Sequence, residues 1–355
     1  MKILYVASEA LPYVSTGGLG DVMGALPKAI LESGKNIETA VILPVHRNIK
    51  TGFSNEMEHI CDLSFKLSWR DTGASVYHIK HNGVDYYFVE NNYYFDRPVL
   101  YGEYDDAERY AFFSLSVVEF LRVSKNIPNI LHANDWQTAM SIVYLKTASE
   151  TNSELRKIKT AFTIHNIEHQ GKFDPYILGD VFGLDNSYIS LMCEDGCINL
   201  MRAAMLCADK VITVSPNYAN EIKHDFFSYG LSKTVRMIED KTVGIINGID
   251  YTFFSPGDSD IACKYNKRTV RYGKSRNKAE TVEKLSLPLG MERPLLVMIT
   301  RLTEQKGIDL LIHVLDELLM ENINLVILGS GEERYENILQ KKSEIYDNLR
   351  VIIGF

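Results

Sequence analysis

The stretch Leu11 to Gly24, LPYVSTGGLGDVMG, decides the fold of this chain. It joins an apolar run, Lys2 to Ala7, to a segment that we expect to be helical from near Leu19 to about Ser33. A second apolar run, Ile37 to Leu43, completes a strand, helix, strand unit, in which the two strands are parallel neighbours. Because glycine has no side chain, backbone N–H groups at the start of the helix can approach an anion. The stretch therefore predicts an α/β fold with a phosphate-facing loop.

A dinucleotide-binding fingerprint is the main alternative for this loop, and the sequence disfavours it. Such a fingerprint places GxGxxG directly after the first strand and an acidic residue at the end of the second strand. Here the stretch Glu9 to Gly17 lies between the strand and the glycine cluster Gly18, Gly20 and Gly24, whose spacing is GxGxxxG. The second strand is followed by His46 and Arg47, with no carboxylate. A glycine-rich turn that only lets helix and strand pack is the other alternative.

Length and composition limit the classes of protein. A chain of 355 residues has room for about two domains, and its 46% hydrophobic and 24% charged residues are ordinary for a globular protein. The net charge of −8 offers no basic surface for nucleic acid. No segment has the length and apolarity of a membrane span or a signal peptide. We therefore predict a cytoplasmic protein with neither a nucleic acid nor a membrane as partner.

Two polar residues follow predicted strands, where open α/β sheets bind their ligands. Asp135 follows the strand Asn129 to Ala133, and His165 follows the strand Lys159 to Ile164. Both are site candidates. The alternative for Asp135 is a side chain that caps the next helix, and the alternative for His165 is a hydrogen-bonded core histidine.

The α/β pattern restarts in the second half of the chain. After an irregular stretch, residues 244 to 258, a basic segment from Lys264 to Lys284 predicts a surface helix. Residues 290 to 355 then supply three strands, whereas a doubly wound domain usually has about five or six. We expect an incomplete second domain.

Arg301 and Lys306 lie between a predicted strand and the start of a helix, in RLTEQKG. A guanidinium, an ammonium and free helix N–H groups at one place favour binding of a pyrophosphate. A surface salt bridge is the alternative.

Five stretches carry a resemblance to a known family. They are YVSTGGLGDVMGALPKAI, FTIHNIEHQG, ADKVITVSPNYANEI, GIINGIDY and ITRLTEQKGIDLL. Together they resemble bacterial glycogen synthase and plant starch synthase, glycosyltransferase family 5. The resemblance implies a GT-B fold, with two doubly wound Rossmann-like domains facing a cleft. Residues 1–245 would form the N-terminal starch synthase catalytic domain on the acceptor side, and residues 246–355 a partial domain on the ADP-sugar side.

The resemblance also implies an activity. The enzyme would transfer glucose from ADP-glucose to the non-reducing end of glycogen or another α-1,4-glucan, with retention of configuration. It would need no cofactor and no metal ion, and the acidic triplet Asp258-Ser259-Asp260 is expected to be a solvated loop.

Residue roles follow from the matching motifs. His165 would line the glucosyl site with Asp135 nearby, while Arg301 and Lys306 would stabilise the departing pyrophosphate. The residues implied in donor binding are Ser15, Gly17, Gly18, Asp21, Asn247 and Gln305.

The sequence departs from the family at several positions. Ser15 stands where the family has a lysine that contacts donor phosphate, and a hydroxyl cannot replace its charge. Asn134 and Gln137 stand where histidines are common, and Arg202 where lysine is common. Family members also continue beyond this sequence, so a truncated, catalytically impaired remnant that binds glucan or nucleotide is the alternative function. Another GT-B enzyme using a UDP- or GDP-sugar is a third.

Overall fold

The structure, a computed structural model, describes residues 1–34, 36–124, 127–257, 260–290 and 292–354. The chain divides into two compact units, Met1–Ile249 and Asp250–Phe355. The predicted assignment of acceptor and ADP-sugar sides to the two parts stays a prediction. Of the acidic triplet, Asp258 and Ser259 lie outside the described residues. None of the helices in the described ranges has the length and apolarity needed to span a membrane.

The first unit is built on a nine-stranded sheet with a small three-stranded sheet beside it. Its strands are β1 Lys2–Val6, β2 Glu38–Pro44, β3 Glu58–Leu67, β4 Arg70–His81, β5 Val84–Glu90, β6 Ile130–Asn134, β7 Lys159–Ile164, β8 Lys172–Phe173, β9 Cys193–Glu194, β10 Cys197–Asn199, β11 Lys210–Thr213 and β12 Thr242–Gly244. Its helices are α1 Gly18–Glu32, α2 Arg47–Phe53, α3 Asn92–Phe95, α4 Asp106–Ser124, α5 Trp136–Ser149, α6 Ile177–Asp180, α7 Ile189–Met192, α8 Leu200–Cys207, α9 Pro216–Glu221, α10 Asp225–Ser228 and α11 Ser232–Met237. Short 3-10 turns occur at Ser54–Glu56, Leu155–Lys157, Asn186–Tyr188 and Glu239–Lys241.

The large sheet has the strand order β12-β11-β7-β6-β1-β2-β5-β4-β3. Pairing is parallel from β12 to β5, and antiparallel between β5, β4 and β3. Strand β1 lies between β2 and β6, so the strand order reverses there. The loops that leave β1 and β6 therefore run in opposite directions. Open α/β sheets bind ligands in the crevice at such a point.

Alternation along β1 explains why helices cover both faces of the sheet. Leu4 and Val6 join the core cluster that includes α4 and α5, whereas Ile3 and Tyr5 join the cluster that includes α1. A strand with apolar residues on both faces is what a parallel sheet between two helical layers requires. The predicted α/β fold is confirmed.

The second unit begins with a helix and then repeats the α/β pattern. Its elements are α12 Val270–Lys284, β13 Leu295–Ile299, the 3-10 turn Glu304–Lys306, α13 Ile308–Met320, β14 Asn324–Gly329, α14 Glu333–Ile345 and β15 Leu349–Ile353. The three strands pair in parallel in the order β13-β14-β15. A separate apolar cluster, including Leu302, Leu315 and Ile327, forms its core.

One sequence expectation needs correction, and one strand was not expected. The basic helix begins at Val270 rather than Lys264, because the Asn266 carboxamide accepts hydrogen bonds from the N–H groups of Arg268 and Thr269 and turns the chain there. The edge strand β3 was not predicted at all. The sequence carries its signal all the same, because Cys61, Leu63, Phe65 and Leu67 alternate with exposed polar residues, the period-2 pattern of a strand with one face in solvent.

Candidate active site

The glycine-rich loop folds back onto the first turns of α1. The Leu11 N–H donates to the Gly20 carbonyl at 3.0 Å, and Ala10 forms a β-bridge with Val14. The residues from Ser15 to Gly18 are exposed, and α1 begins at Gly18 with Gly17 as its N-cap. The first N–H groups of a helix have no partner within it, so they are open to an anion here.

The glycines of this loop serve two different purposes. A Cβ on Gly20 would lie 2.4 Å from the Ser15 Oγ, and one on Gly24 would lie 2.8 Å from the Leu11 Cβ. A larger residue at either position would clash with the loop. A Cβ on Gly17 or Gly18 would meet nothing within 4 Å. The packing alternative therefore explains Gly20 and Gly24. It does not explain Gly17 and Gly18, whose open surroundings leave room for a ligand.

The Glu9 side chain is hydrogen-bonded to Thr16 of the same loop, and the sequence did not predict this contact. Its side chain is 4% exposed, and its carboxylate accepts hydrogen bonds from the Thr16 N–H and from the Thr16 hydroxyl at 3.0 Å. Burial raises the pKa of the Glu9 carboxyl, the Thr16 hydrogen bonds oppose this, and Asp135 adds a smaller upward effect. The residue follows the carboxyl end of β1, the same position in the sheet that identified the other candidates.

Asp135 occupies a strained position at the carboxyl end of β6. Its φ of 57° and ψ of 178° form a backbone conformation that residues other than glycine rarely adopt. Asp135 is the N-cap residue of α5 by position, but its side chain makes no capping hydrogen bond there. The carboxylate instead accepts the His165 N–H at 2.8 Å. Burial raises the pKa of the Asp135 carboxyl, opposed by the charge and backbone N–H of His165.

The His165 ring is oriented by the residue before Asp135. Its Nε2 lies 3.1 Å from the Oδ1 of Asn134, a fully buried side chain. Burial lowers the pKa of His165, and the opposing effect of Asp135 is smaller, so the imidazole is neutral near pH 7. Asn134, Asp135 and His165 thus form one connected group at the crevice beside β1, which we call the β6–β7 group.

Other predicted or noted positions of the first unit lie outside this group. Asp21 is exposed in the first turn of α1, where its negative charge interacts favourably with the helix dipole. Asn247 is exposed three residues after β12. Gln137 is buried, and its Oε1 has no hydrogen-bond partner among the described residues. Arg202 pairs with Glu194 at 3.2 Å and donates to the Ser190 carbonyl.

Arg301 and Lys306 lie on the second unit, on either side of a short turn. Both side chains are exposed, and no residue in the described ranges forms an ion pair with either. The salt-bridge alternative therefore has no support. Gln305 is exposed beside Lys306, and Gly307, with a φ of 70°, turns the chain into α13.

The neighbouring glycines of this unit are needed for packing. A Cβ on Gly329 would lie 1.9 Å from the Thr300 carbonyl oxygen, and one on Gly331 would lie 2.3 Å from that of Leu302. The loops after β13 and β14 therefore lie side by side, and the Leu302 N–H donates to the Ser330 carbonyl. This contact fixes the backbone from which Arg301 projects.

Within the described ranges no cluster of three or more His, Cys, Asp or Glu side chains is arranged to hold a metal ion.

Two family profiles match the chain. The profile of the starch synthase catalytic domain matches residues 2–237, and that of glycosyl transferases group 1 matches residues 280–354. The chain belongs to glycosyltransferase family 5.

Curated relatives and a solved structure agree with the family. The glycogen synthase of Exiguobacterium sibiricum is 40% identical over 362 residues, covering 100% of this chain and 74% of that protein. The glycogen synthase of Streptococcus mutans is 42% identical over 341 residues, covering 95% of this chain and 71% of that protein. The catalytic domain of starch synthase IV from Arabidopsis thaliana, solved with ADP and acarbose, matches with a TM-score of 0.88 at 27% identity, over 99% of this chain and 74% of that one.

Membership of this family confirms the predicted class of activity and the predicted fold. The chain is a glycosyltransferase of the glycogen and starch synthase type, with the GT-B fold that the sequence predicted. The alternative of a non-catalytic remnant is not favoured. The roles of individual residues stay predictions.

Proposed function

We propose that this chain transfers glucose from ADP-glucose to the non-reducing end of an α-1,4-glucan such as glycogen, with retention of configuration. Two relatives named glycogen synthase and a related starch synthase solved with bound ADP and acarbose support this proposal. The observation that carries it within the chain is the pair of exposed cations, Arg301 and Lys306, at the start of α13.

The leaving group explains why those cations matter. Breaking the anomeric bond puts negative charge on the departing ADP and positive charge on the sugar ring. Arg301 supplies a planar fork and Lys306 a point charge, and the N–H groups at the start of α13 add a partial positive charge. Neither cation is held by a carboxylate of the described residues, so each is available to the pyrophosphate. We assign both a role in stabilising the leaving group.

The β6–β7 group would contact the sugar that is transferred. A neutral His165 ring exchanges hydrogen bonds with sugar hydroxyls without adding a positive charge beside a ring that becomes cationic. Asp135 holds the His165 backbone in place and contributes a carboxylate near that developing charge. We assign His165 to the glucosyl site and Asp135 to its immediate surroundings.

The donor would also contact the glycine-rich loop. Gly17 and Gly18 leave the backbone open to the donor, and Ser15 offers one hydroxyl, which already donates to the Gly17 carbonyl at 3.1 Å. Asp21, Asn247 and Gln305 are proposed to border the donor, as the family motifs imply. The reaction is proposed to use no cofactor and no metal ion, since the cations carry the charge of the leaving group. The cytoplasmic location and the absence of a nucleic acid partner stay predictions.

The test is ADP release from ADP-glucose with and without glycogen. We expect glycogen-dependent release that persists in a chelator, and weaker competition by UDP-glucose and GDP-glucose than by unlabelled ADP-glucose. Release that is equal without glycogen, or a preference for another nucleotide, would contradict the proposal. Absence of release from a chain with a cooperative thermal transition would also contradict it.

A Ser15→Lys variant sharpens the same test. If the missing ammonium limits donor binding, this variant lowers the KM for ADP-glucose and leaves kcat nearly unchanged. An unchanged KM would mean that Ser15 does not border the donor phosphates.

A further inference from the structure

The orientation of the Asn134 carboxamide is fixed by two backbone carbonyls. Its Nδ2 donates to the Val6 carbonyl at 3.1 Å and to the His132 carbonyl at 3.2 Å. A rotated amide would place Oδ1 against both carbonyl oxygens, which would repel it. The Oδ1 atom therefore points to the remaining neighbour, the Nε2 of His165 at 3.1 Å.

This orientation decides which nitrogen of His165 carries the proton. An amide oxygen only accepts hydrogen bonds, so the Nε2 of His165 must donate one. In a neutral imidazole the other nitrogen is then an acceptor. The described residues provide no hydrogen-bond partner for Nδ1, and it is not among the atoms enclosed without a partner. Because His165 is half-buried and Nδ1 is not enclosed, this nitrogen keeps some accessible surface.

We propose that Asn134 is a positioning residue that holds His165 in the Nε2–H tautomer and so presents Nδ1 as a hydrogen-bond acceptor to a hydroxyl of the sugar that is transferred. This inference rests on the proposed function for the identity of the ligand, and on the amide geometry alone for the tautomer. Such an acceptor binds a hydroxyl, and it rejects a carboxylate because two acceptors repel.

The neighbouring residues act on the same histidine in a complementary way. The Asp135 carboxylate holds the His165 backbone N–H, while Asn134 holds the ring. The Asn134 backbone is itself fixed, because its N–H donates to the Thr138 hydroxyl and its carbonyl accepts from the same hydroxyl at 2.8 Å. The His165 ring is thus held by the buried Asn134 side chain, and its backbone by the Asp135 carboxylate.

The first experiment is nitrogen-15 NMR of the imidazole rings in the whole chain, with His165 identified by its disappearance in a His165→Gln variant. We expect wild-type His165 to be a neutral ring protonated at Nε2. A wild-type ring protonated at Nδ1 would overturn the proposal by itself, without any variant.

Three variants then separate positioning from stability. Asn134→Leu removes the acceptor, and we expect a mixture of tautomers and a kcat about 10- to 100-fold lower, with a smaller change in the KM for ADP-glucose. Asn134→His can donate through one nitrogen and accept through the other, so it should restore the Nε2–H tautomer and most of the kcat. Ser141→Ala removes a buried hydrogen bond of α5, from the Ser141 hydroxyl to the Thr138 carbonyl at 2.6 Å, and serves as the control that leaves the tautomer unchanged.

The outcomes distinguish the two proposals. An Asn134→Leu protein whose His165 stays in the Nε2–H tautomer would refute the role of Asn134, whether or not the enzyme is active. The expected tautomers together with a complete lack of glucosyl transfer in the wild-type chain would refute the proposed function and leave the role of Asn134 standing.

Discussion

The first strands of the two units are alike in sequence and differ in surroundings. Strand β1 reads KILYV and β13 reads LLVMI, and both begin a strand, helix, strand unit. Strand β1 pairs with both β2 and β6, whereas β13 pairs with β14 alone within the described residues. As a result Val6 is 0% exposed and Val297 is 54% exposed. An apolar run predicts a strand, but its burial depends on the neighbours that the rest of the fold supplies.

The site residues of the two units differ in the same way. In the first unit Asn134 and Glu9 are buried and hydrogen-bonded, and the strained Asp135 is held by its neighbours. In the second unit Arg301 and Lys306 project from a fixed backbone into solvent. Substitutions of these buried residues of the first unit should therefore change stability and activity together, whereas those of the exposed cations should change activity alone.

The largest effect is expected for Lys306→Ala. If the ammonium stabilises the leaving group by about 3 kcal/mol, its loss lowers the rate of ADP release about a hundredfold or more. Because the side chain is exposed and unpaired among the described residues, the Tm should not change. Lys341→Ala, which removes an exposed lysine from α14, is the control and should keep the wild-type rate. Undiminished transfer by Lys306→Ala would remove the residue from the mechanism.

The comparison of strands can be tested directly with Val6→Ala and Val297→Ala. Truncating the fully buried Val6 should lower the free energy of unfolding of the first unit by about 2 kcal/mol. The same change at the exposed Val297 should cost less than about 0.5 kcal/mol. Urea unfolding followed by far-ultraviolet circular dichroism measures both. Equal losses would show that β13 is covered in solution.

A third pair separates the two kinds of glycine in the loop. Gly20→Ala forces a Cβ against Ser15, so it should lower the free energy of unfolding by about 1–3 kcal/mol. Gly18→Ala meets no atom and should leave stability unchanged, while raising the KM for ADP-glucose. Thermal unfolding and donor titration measure the two effects. A destabilised Gly18→Ala protein would assign that glycine to packing.

The smallest expected effect concerns acid stability. Burial lowers the pKa of His46 and of His132 to about 4. Between pH 6 and pH 5 the unfolded rings take up protons and the folded rings do not, so stability falls by about 1 kcal/mol for each histidine. Buried carboxyls such as Glu9, whose pKa is raised, act in the opposite direction.

The difference between wild type and His132→Gln isolates one of these contributions. Urea unfolding at the two pH values should show a shallower loss of stability in this variant, because the effect of the carboxyls is common to both proteins. His313→Gln, at an exposed position of the second unit, should keep the wild-type dependence. An identical slope in the His132→Gln protein would mean that the folded ring takes up its proton at an ordinary pH.

The sequence predicts those site residues that directly follow a strand. Asp135 and His165 were found because they follow apolar runs, and the carboxyl edge of a parallel sheet is where ligands bind. The same rule applies to Glu9, but nothing local shows that its side chain turns to Thr16 rather than to solvent. The role of Asn134 was also invisible, since its partner lies 31 residues away in sequence.

The sequence by itself determined the α/β fold, the positions of most strands and helices, the family and the class of reaction. These follow from local periodicity, from the residues that end each element, and from motifs that can be recognised without knowing which residues contact them. Only the tertiary structure decided which glycines are needed for packing, that the Asp135 side chain bonds the His165 backbone rather than the first N–H groups of α5, and which tautomer His165 adopts. Each of these depends on atoms that the fold brings together from distant parts of the chain, and a linear pattern does not encode such distances.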